Sequence, residues 1–166
     1  MKNRRSFIKK SSIGIFGASL LSPFSTTSAK SYSRILGSND RVTLAFQGLG
    51  RRFPGLLNSS LKMQNVGIKY FCDVMDNQLD KANKSYYNLT KQKVNSEKDI
   101  HKIIDDKDVD ALIIATPDHW HTYAACKGME AGKHIYLEKP CSHNLRESEL
   151  LVNYQSYYNK SVQMGN

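Results

Sequence analysis

The 166-residue sequence has few cysteines and no long apolar run. Its three cysteines, Cys72, Cys126 and Cys141, are an odd number and form no Cys-x-x-Cys pair, which argues against a disulfide framework and a zinc knuckle. We therefore expect no metal site. The cysteines are expected to be small, half-buried side chains, although Cys141 follows a motif described below and a reactive thiol there stays open. A stable membrane anchor needs about 20 apolar residues, so none is expected.

Acidic residues are missing from residues 1–29, which hold five of the positive charges. The formal net charge of +9 falls to +4 without that segment. Elsewhere lysines and arginines alternate with aspartates and glutamates, as in 97–99 and 105–108, which is typical of a solvated surface. We therefore expect no nucleic-acid partner.

The N-terminal segment resembles a bacterial export signal. Residues 3–9, Asn-Arg-Arg-Ser-Phe-Ile-Lys, are similar to the twin-arginine motif, and a weakly apolar stretch broken by glycines and serines follows at 13–24. We predict a signal peptide over 1–29, cleaved after Ala29, and a polar linker over 30–40. The expected partner is the twin-arginine export machinery, and the expected location is the periplasm. The alternative is an amphipathic helix of a cytosolic protein, but no periodic apolar face supports it.

From residue 41 onward, short apolar or β-branched runs alternate with helical patterns. This alternation predicts an α/β fold, a doubly wound and mostly parallel Rossmann sheet over 41–166. The continuous apolar run at 111–115 indicates a central strand buried on both faces. The predicted strands cover 42–47, 68–74, 92–94, 111–115, 134–137 and 161–164. The predicted helices cover 53–63, 76–89, a segment after a capping box at Ser96 and Asp99, 119–130, and a segment that Asn144 caps.

A glycine-containing turn lies between the first predicted strand and helix. Gly48 and Gly50 occupy the first two glycine positions of a dinucleotide-binding turn, whose backbone approaches a pyrophosphate at the helix N-terminus. Phe53 stands at the third position, so either the helix packs more loosely or Gly55 relieves it one turn later. Arg51 and Arg52 pair with phosphate or are solvated, and the sequence leaves both open.

Asp73 follows the second predicted strand, 25 residues after Gly48. A carboxylate near this spacing accepts hydrogen bonds from the adenosine ribose hydroxyls, and it repels a phosphate on that ribose. The sequence therefore favours NAD over NADP. The alternative is that Asp73 merely caps the next helix, a position for which Asp76 is better placed.

Two segments together indicate a family. Residues 115–121, Ala-Thr-Pro-Asp-His-Trp-His, are followed after a helix by residues 131–140, Ala-Gly-Lys-His-Ile-Tyr-Leu-Glu-Lys-Pro. In this order they resemble the Gfo/Idh/MocA oxidoreductases, the family of glucose–fructose oxidoreductase and inositol dehydrogenase. The resemblance covers about 41–166, and both segments follow adjacent central strands, at the edge where open α/β sheets bind ligands.

The resemblance implies roles for residues of both segments. The Thr-Pro loop and the Glu-Lys-Pro segment line the nicotinamide half of the cofactor, and the Lys-Pro bond is commonly cis. Lys139 is implied as the catalytic residue, since an ammonium near the nicotinamide can stabilise a developing alkoxide or move its proton. His119 has no such assignment and is as readily a solvated loop histidine. The implied cofactor or pocket contacts are Thr116, Pro117, Asp118, Trp120, His121, Glu138, Lys139 and, at the end of the chain, Asn166.

The resemblance also implies a second domain. Family members continue with a C-terminal α+β domain that supplies the substrate pocket and the oligomer interface, and we expect it to be absent from this chain. A homo-oligomer would require that domain.

The expected function is the NAD-binding half of a secreted oxidoreductase acting on a sugar or polyol. The alternatives are an NAD-dependent glycosidase of the same superfamily and a cofactor-binding fragment or pseudoenzyme without turnover.

Overall fold

In a computed structural model, which describes residues 41–165, the chain forms one parallel sheet flanked by helices. The predicted signal peptide, the linker up to residue 40 and Asn166 lie outside the described residues. The strands are β1 (Val42–Gln47), β2 (Val66–Cys72), β3 (Asn95–Glu97), β4 (Ala111–Ile114), β5 (His134–Leu137) and β6 (Val162–Met164). The helices are α1 (Phe53–Leu61), α2 (Asp76–Thr90), α3 (Ile100–Ile104), α4 (His121–Glu130) and α5 (Leu145–Tyr158), and a 3₁₀ turn at Asp118–Trp120 precedes α4.

The strand order is β3-β2-β1-β4-β5-β6, and every neighbouring pair is parallel. This is the doubly wound Rossmann order, so the predicted fold class is confirmed. The chain leaves β1 toward β2 on one side and returns to β4 on the other. The connections diverge at the carboxyl ends of β1 and β4, which leaves a crevice there.

Alternation along β1 divides the core between the two faces of the sheet. Ala45 packs with buried side chains of α3, α4 and α5, among them Ile103 and Met129. Phe46 points to the opposite face and packs with α1 and α2. The run at 111–115 is mostly buried, as a central strand requires.

Phe53 corrects the expectation of loose packing at the third glycine position. Its ring is 3% exposed and meets Phe71 edge to face at 4.9 Å and Phe46 at 5.5 Å. Such edge-to-face pairs are a favourable aromatic geometry. Helix α1 is therefore anchored by an aromatic cluster. Gly55 relieves nothing, since a Cβ there would meet no atom within 4 Å.

The third strand was predicted three residues too early. Helix α2 ends with Lys91 in the left-handed conformation, φ 59°, and the Gln92 N–H donates to the Thr90 hydroxyl at 3.1 Å. Lys91 and Gln92 therefore belong to the end of the helix. Pairing with β2 starts only at Asn95.

Four cap and boundary predictions are also changed. Strand β2 begins at Val66 and ends at Cys72, and the 3₁₀ turn replaces the start of the helix predicted at 119. Asp99 itself caps α3 by accepting from the His101 N–H at 2.9 Å, without the capping box. Asp76 caps nothing and pairs instead with Lys98 at 2.7 Å. The Asn144 cap of α5 is confirmed, since its side chain accepts from the Glu147 N–H at 3.0 Å.

Among residues 41–165, no helix has the length and apolar character needed to span a bilayer. All three cysteines are free thiols. Burial raises the pKa of Cys72 to about 12, so this thiol is not activated as a nucleophile even though it lies at the crevice.

Candidate functional site

A cleft of about 690 Å³ opens at the carboxyl ends of β1, β2 and β4. It lies at the point where the strand order reverses, the usual ligand position in open α/β sheets. Six of the sequence-predicted site residues line it together: Gly48, Gly50, Asp73, Thr116, Pro117 and Trp120. Residues from three separate loops therefore meet in one cleft.

The two glycines of the turn serve different requirements. Gly48 has φ +86°, and a Cβ there would lie 2.6 Å from the backbone carbon of Ala115. The fold itself therefore requires glycine at position 48, because the turn packs against the loop after β4. A Cβ on Gly50 would meet nothing within 4 Å. Position 50 borders open space in the cleft, as needed where a ligand approaches the backbone.

The Asp73 carboxylate joins the end of β2 to the glycine turn. One of its oxygens, Oδ2, accepts from the Leu49 N–H at 2.8 Å, and the other, Oδ1, accepts from the Met75 N–H at 3.0 Å. An ionised carboxylate accepts about four hydrogen bonds. Acceptor capacity therefore remains for hydroxyl groups of a ligand. The bond from the Met75 N–H shows that Asp73 also orders the start of α2. Capping this helix and accepting hydrogen bonds from a ribose are therefore compatible roles.

Two buried polar atoms at the cleft have no partner among the described residues: Gln47 Oε1 and Thr116 Oγ1. Both residues line the cleft. Buried polar atoms nearly always have a hydrogen-bond partner, so two such atoms without one at a cleft mark a place for a ligand or water. Gln47 was not predicted as a site residue. Its signal was an amide at the end of an otherwise apolar strand.

Arg52 and Glu138 are brought together by the fold. Arg52 Nη2 donates to Glu138 Oε1 at 2.9 Å, and the Tyr136 hydroxyl donates to the same oxygen at 3.3 Å. Burial alone would raise the pKa of Glu138, but the hydrogen bond and charge of Arg52 outweigh burial and hold this pKa below its usual range. The ion pair therefore ties the glycine turn to the end of β5. Arg51 is exposed.

Lys139 is exposed and does not line the cleft, although it directly follows the buried Glu138. Its N–H donates to Glu138 Oε2 at 3.4 Å, and its bond to Pro140 is cis, as the resemblance implied. The Lys139 side chain is thus placed at the carboxyl edge of β5 and open to a bound molecule.

Aromatic side chains border the cleft on the side of α4. Trp120 is half-exposed and meets the Tyr123 ring edge to face at 5.9 Å. The Tyr123 hydroxyl lies 3.3 Å from His101 Nε2, and both of these residues also line the cleft. Tyr123 and His101 were not predicted. The spacing of Trp120 and Tyr123, three residues apart at the start of a helix, was the available signal.

Asp118 does not line the cleft and instead faces His143. Its Oδ2 lies 3.3 Å from His143 Nδ1, and this hydrogen bond lowers the pKa of Asp118. His119 is exposed, and its N–H donates to the other Asp118 oxygen at 2.9 Å. Asp118 thus links the Thr-Pro loop to the segment after Pro140, and His143 is a partner that the sequence analysis missed.

His121 is buried, with 1% of its surface exposed. Its Nδ1 lies 2.6 Å from the Pro140 carbonyl oxygen and its Nε2 lies 2.8 Å from the Thr116 carbonyl oxygen. Both ring nitrogens are therefore engaged with the protein backbone, and the ring does not line the cleft.

Comparison with known proteins gives consistent results. Residues 44–166 match the Gfo/Idh/MocA model, described as an oxidoreductase family with an NAD-binding Rossmann fold. A glycosyl hydrolase family 109 protein of Shewanella pealeana is 27% identical over 177 residues, covering 98% of this chain and 39% of that protein.

Solved structures share the fold. Myo-inositol 2-dehydrogenase from Lactobacillus plantarum superposes with a TM-score of 0.66 at 24% identity, over 75% of this chain and 36% of that one. The WlbA dehydrogenase from Chromobacterium violaceum, solved with NADH and UDP-GlcNAcA, gives 0.65 at 20% identity, over 75% and 35%. The chain thus spans between 35% and 39% of the length of these three proteins. It belongs to the Gfo/Idh/MocA oxidoreductase family, and the part that matches is the NAD-binding Rossmann domain.

Proposed function

We propose that the cleft binds NAD and that this domain is the cofactor half of an exported oxidoreductase acting on sugars or polyols. The observation that carries the proposal is the contrast between the two glycines of the turn. Gly48 is required by the fold, whereas Gly50 faces open space beside the Asp73 carboxylate and the unpaired atoms of Gln47 and Thr116. A glycine that the fold does not require, at a ligand cleft, is explained by close approach of a ligand to the backbone.

The described residues fit a dinucleotide. The turn around Gly50 and the N-terminus of α1 would hold the pyrophosphate, with Arg51 beside it. Asp73 would accept hydrogen bonds from the adenosine ribose. Thr116, Pro117 and Trp120 would border the rest of the cofactor. The bound nicotinamide would accept a hydride from a carbon that bears a hydroxyl group.

We propose Lys139 as the catalytic residue of this chain. Its exposed ammonium, at the edge of β5, would lie near the substrate hydroxyl and stabilise the negative charge that develops on that oxygen as the hydride leaves and water takes the proton. Glu138 is buried and paired with Arg52, so it would hold the turn and the Lys139 loop in place rather than act on the substrate. The inositol dehydrogenase among the structural neighbours supports a polyol or sugar as substrate.

A glycosidase is the second candidate. The similarity to a glycosyl hydrolase family 109 protein over 98% of this chain favours it. A chain that carries this domain together with a substrate domain, incubated with an aryl glycoside and with free polyols, separates the two candidates. Release of the aryl group without net formation of NADH identifies a glycosidase, and net NADH with an oxidised polyol identifies a dehydrogenase.

NAD is expected to bind more tightly than NADP, by at least about tenfold, because the phosphate of NADP would meet the Asp73 carboxylate. Replacing Asp73 by asparagine keeps the size, removes the charge and gives up one of the two bonds to backbone N–H groups, so both dinucleotides should bind more weakly and the preference should narrow to about threefold or less. Calorimetric titration with both dinucleotides measures this. Asp80→Asn, which removes an exposed charge of α2 that does not line the cleft, is the control and should keep the preference. Tighter NADP binding by the parent would show that Asp73 does not face the ribose.

Export by the twin-arginine route is also a proposal, supported by the motif at residues 3–9. Changing Arg4 and Arg5 together to lysine is expected to leave the protein in the cytoplasm. Cell fractionation followed by immunodetection measures the location. A double variant that still accumulates in the periplasm would disprove this route.

A further inference from the structure

The imidazole of His121 bridges two loops that follow neighbouring strands. The Thr116 carbonyl belongs to the loop after β4, and the Pro140 carbonyl belongs to the loop after β5. The strands are paired as far as Ile114 and Leu137, and beyond these residues the ladder no longer fixes the spacing of the two chains. His121 restores a fixed spacing two to three residues past the end of the ladder.

Both bonded loops carry residues of the proposed cofactor site. Thr116 and Pro117 line the cleft on one side. Lys139 directly precedes Pro140, whose carbonyl is the second partner of the ring. A shift of the ring would therefore move the cleft wall and the Lys139 backbone relative to each other.

The burial of the ring supports a purely positional role. With 1% of its surface exposed, and with both nitrogens directed at carbonyl oxygens, the ring has no edge left for a ligand. Carbonyl oxygens only accept, so a hydrogen bond between the ring and either loop is donated by a ring N–H.

We propose that His121 is a positioning residue for the nicotinamide half of the cofactor site. It acts through the backbone of the Thr116 and Pro140 loops and not by touching the cofactor, and this inference rests on the proposed function. The adenosine half, formed by the glycine turn and Asp73, is fixed by other bonds, such as that from the Leu49 N–H to Asp73. Loss of the bridge should therefore affect one half of the site and spare the other.

The test compares two ligands in the 166-residue chain. ADP occupies only the adenosine and diphosphate positions, and NAD also reaches the nicotinamide position. His121→Phe removes both ring nitrogens and keeps a flat ring. We expect its NAD affinity to fall about tenfold and its ADP affinity to change less than about twofold. His121→Gln, which keeps one amide donor, should give an intermediate loss of NAD affinity.

Met129→Ala is the matched control. Met129 is fully buried on the same helix, so its truncation lowers stability without touching either loop. This variant should lose NAD and ADP affinity equally or not at all. Equal losses in His121→Phe, or an unchanged NAD affinity, would overturn the positioning role. If the parent binds neither ligand, the proposed function fails instead.

Hydrogen exchange of the ligand-free chain provides a second readout, which stays informative if His121→Phe is destabilised or if no ligand binds. The N–H groups of Trp120 and His143 are bonded within the two loops, to the Pro117 carbonyl and to Glu147. In His121→Phe they should exchange faster relative to the β1 amides. In Met129→Ala the ratio of loop to strand exchange should stay as in the parent. An unchanged ratio in His121→Phe would show that the ring does not hold the loops.

Discussion

Replacing Gly50 by valine is expected to abolish measurable NAD binding while leaving the domain nearly as stable as the parent. A Cβ at position 50 meets nothing within 4 Å, so the ligand-free fold has room for a side chain. In the proposed complex the same space receives the pyrophosphate, because the second glycine of such a turn lets backbone and phosphate approach. We expect an affinity loss of at least about 100-fold, which corresponds to about 2.7 kcal/mol, with a melting temperature within about 2 °C of the parent.

Two other glycines provide the comparison. Gly48→Ala should behave in the opposite way and lower stability strongly, because its Cβ would lie 2.6 Å from the Ala115 backbone at a φ of +86°. Gly55→Ala, in α1, should bind NAD normally and gain about 0.5–1 kcal/mol of stability. Calorimetric titration and thermal melts of all three variants measure both properties. NAD binding by Gly50→Val at the parent affinity would contradict the proposed site.

The 166-residue chain is expected to bind NAD without measurable oxidation of sugars or polyols. The described residues form a cleft, and Lys139 lies exposed at the carboxyl edge of β5, outside the lining of that cleft. Orienting two reactants can supply about 7–11 kcal/mol of the barrier, so a substrate held on one side only should react many orders of magnitude more slowly. Turnover is expected in a chimera that appends the remaining part of the Shewanella pealeana relative.

Lys139 can be tested in that chimera. Lys139→Ala should lower kcat by about 10²–10³-fold and change NAD affinity by less than about threefold, because the charge that stabilises the developing alkoxide is lost while the cleft is kept. Lys107→Ala removes an exposed lysine that precedes β4, at the opposite edge of the sheet, and should leave both quantities unchanged. Rapid NADH formation by the 166-residue chain with a polyol would show that no second domain is needed to hold the substrate. Undiminished turnover by the Lys139→Ala chimera would refute its catalytic role.

Much of the fold could be predicted because its causes are local. Strand β1 follows from a short apolar and β-branched run and β4 from a continuous apolar run, and the Asn144 cap follows from a polar side chain placed three residues before Glu147. The third strand was predicted at the wrong residues, and the reason for this is local as well. The left-handed Lys91 and the bond from Gln92 to Thr90 end α2 later than periodicity indicates.

The sequence by itself determined the kind of protein: a Rossmann domain, its glycine turn, and the two segments that carry the family resemblance. These depend on residue type and short spacing, which local backbone chemistry dictates. Only the tertiary structure decided what each site residue contacts. The partners of Arg52 and Asp73 are 86 and 24 residues away along the chain, and His121 joins loops of two different strands. Such pairings exist only after the parallel strands bring their carboxyl ends to one edge, so no local pattern could specify them.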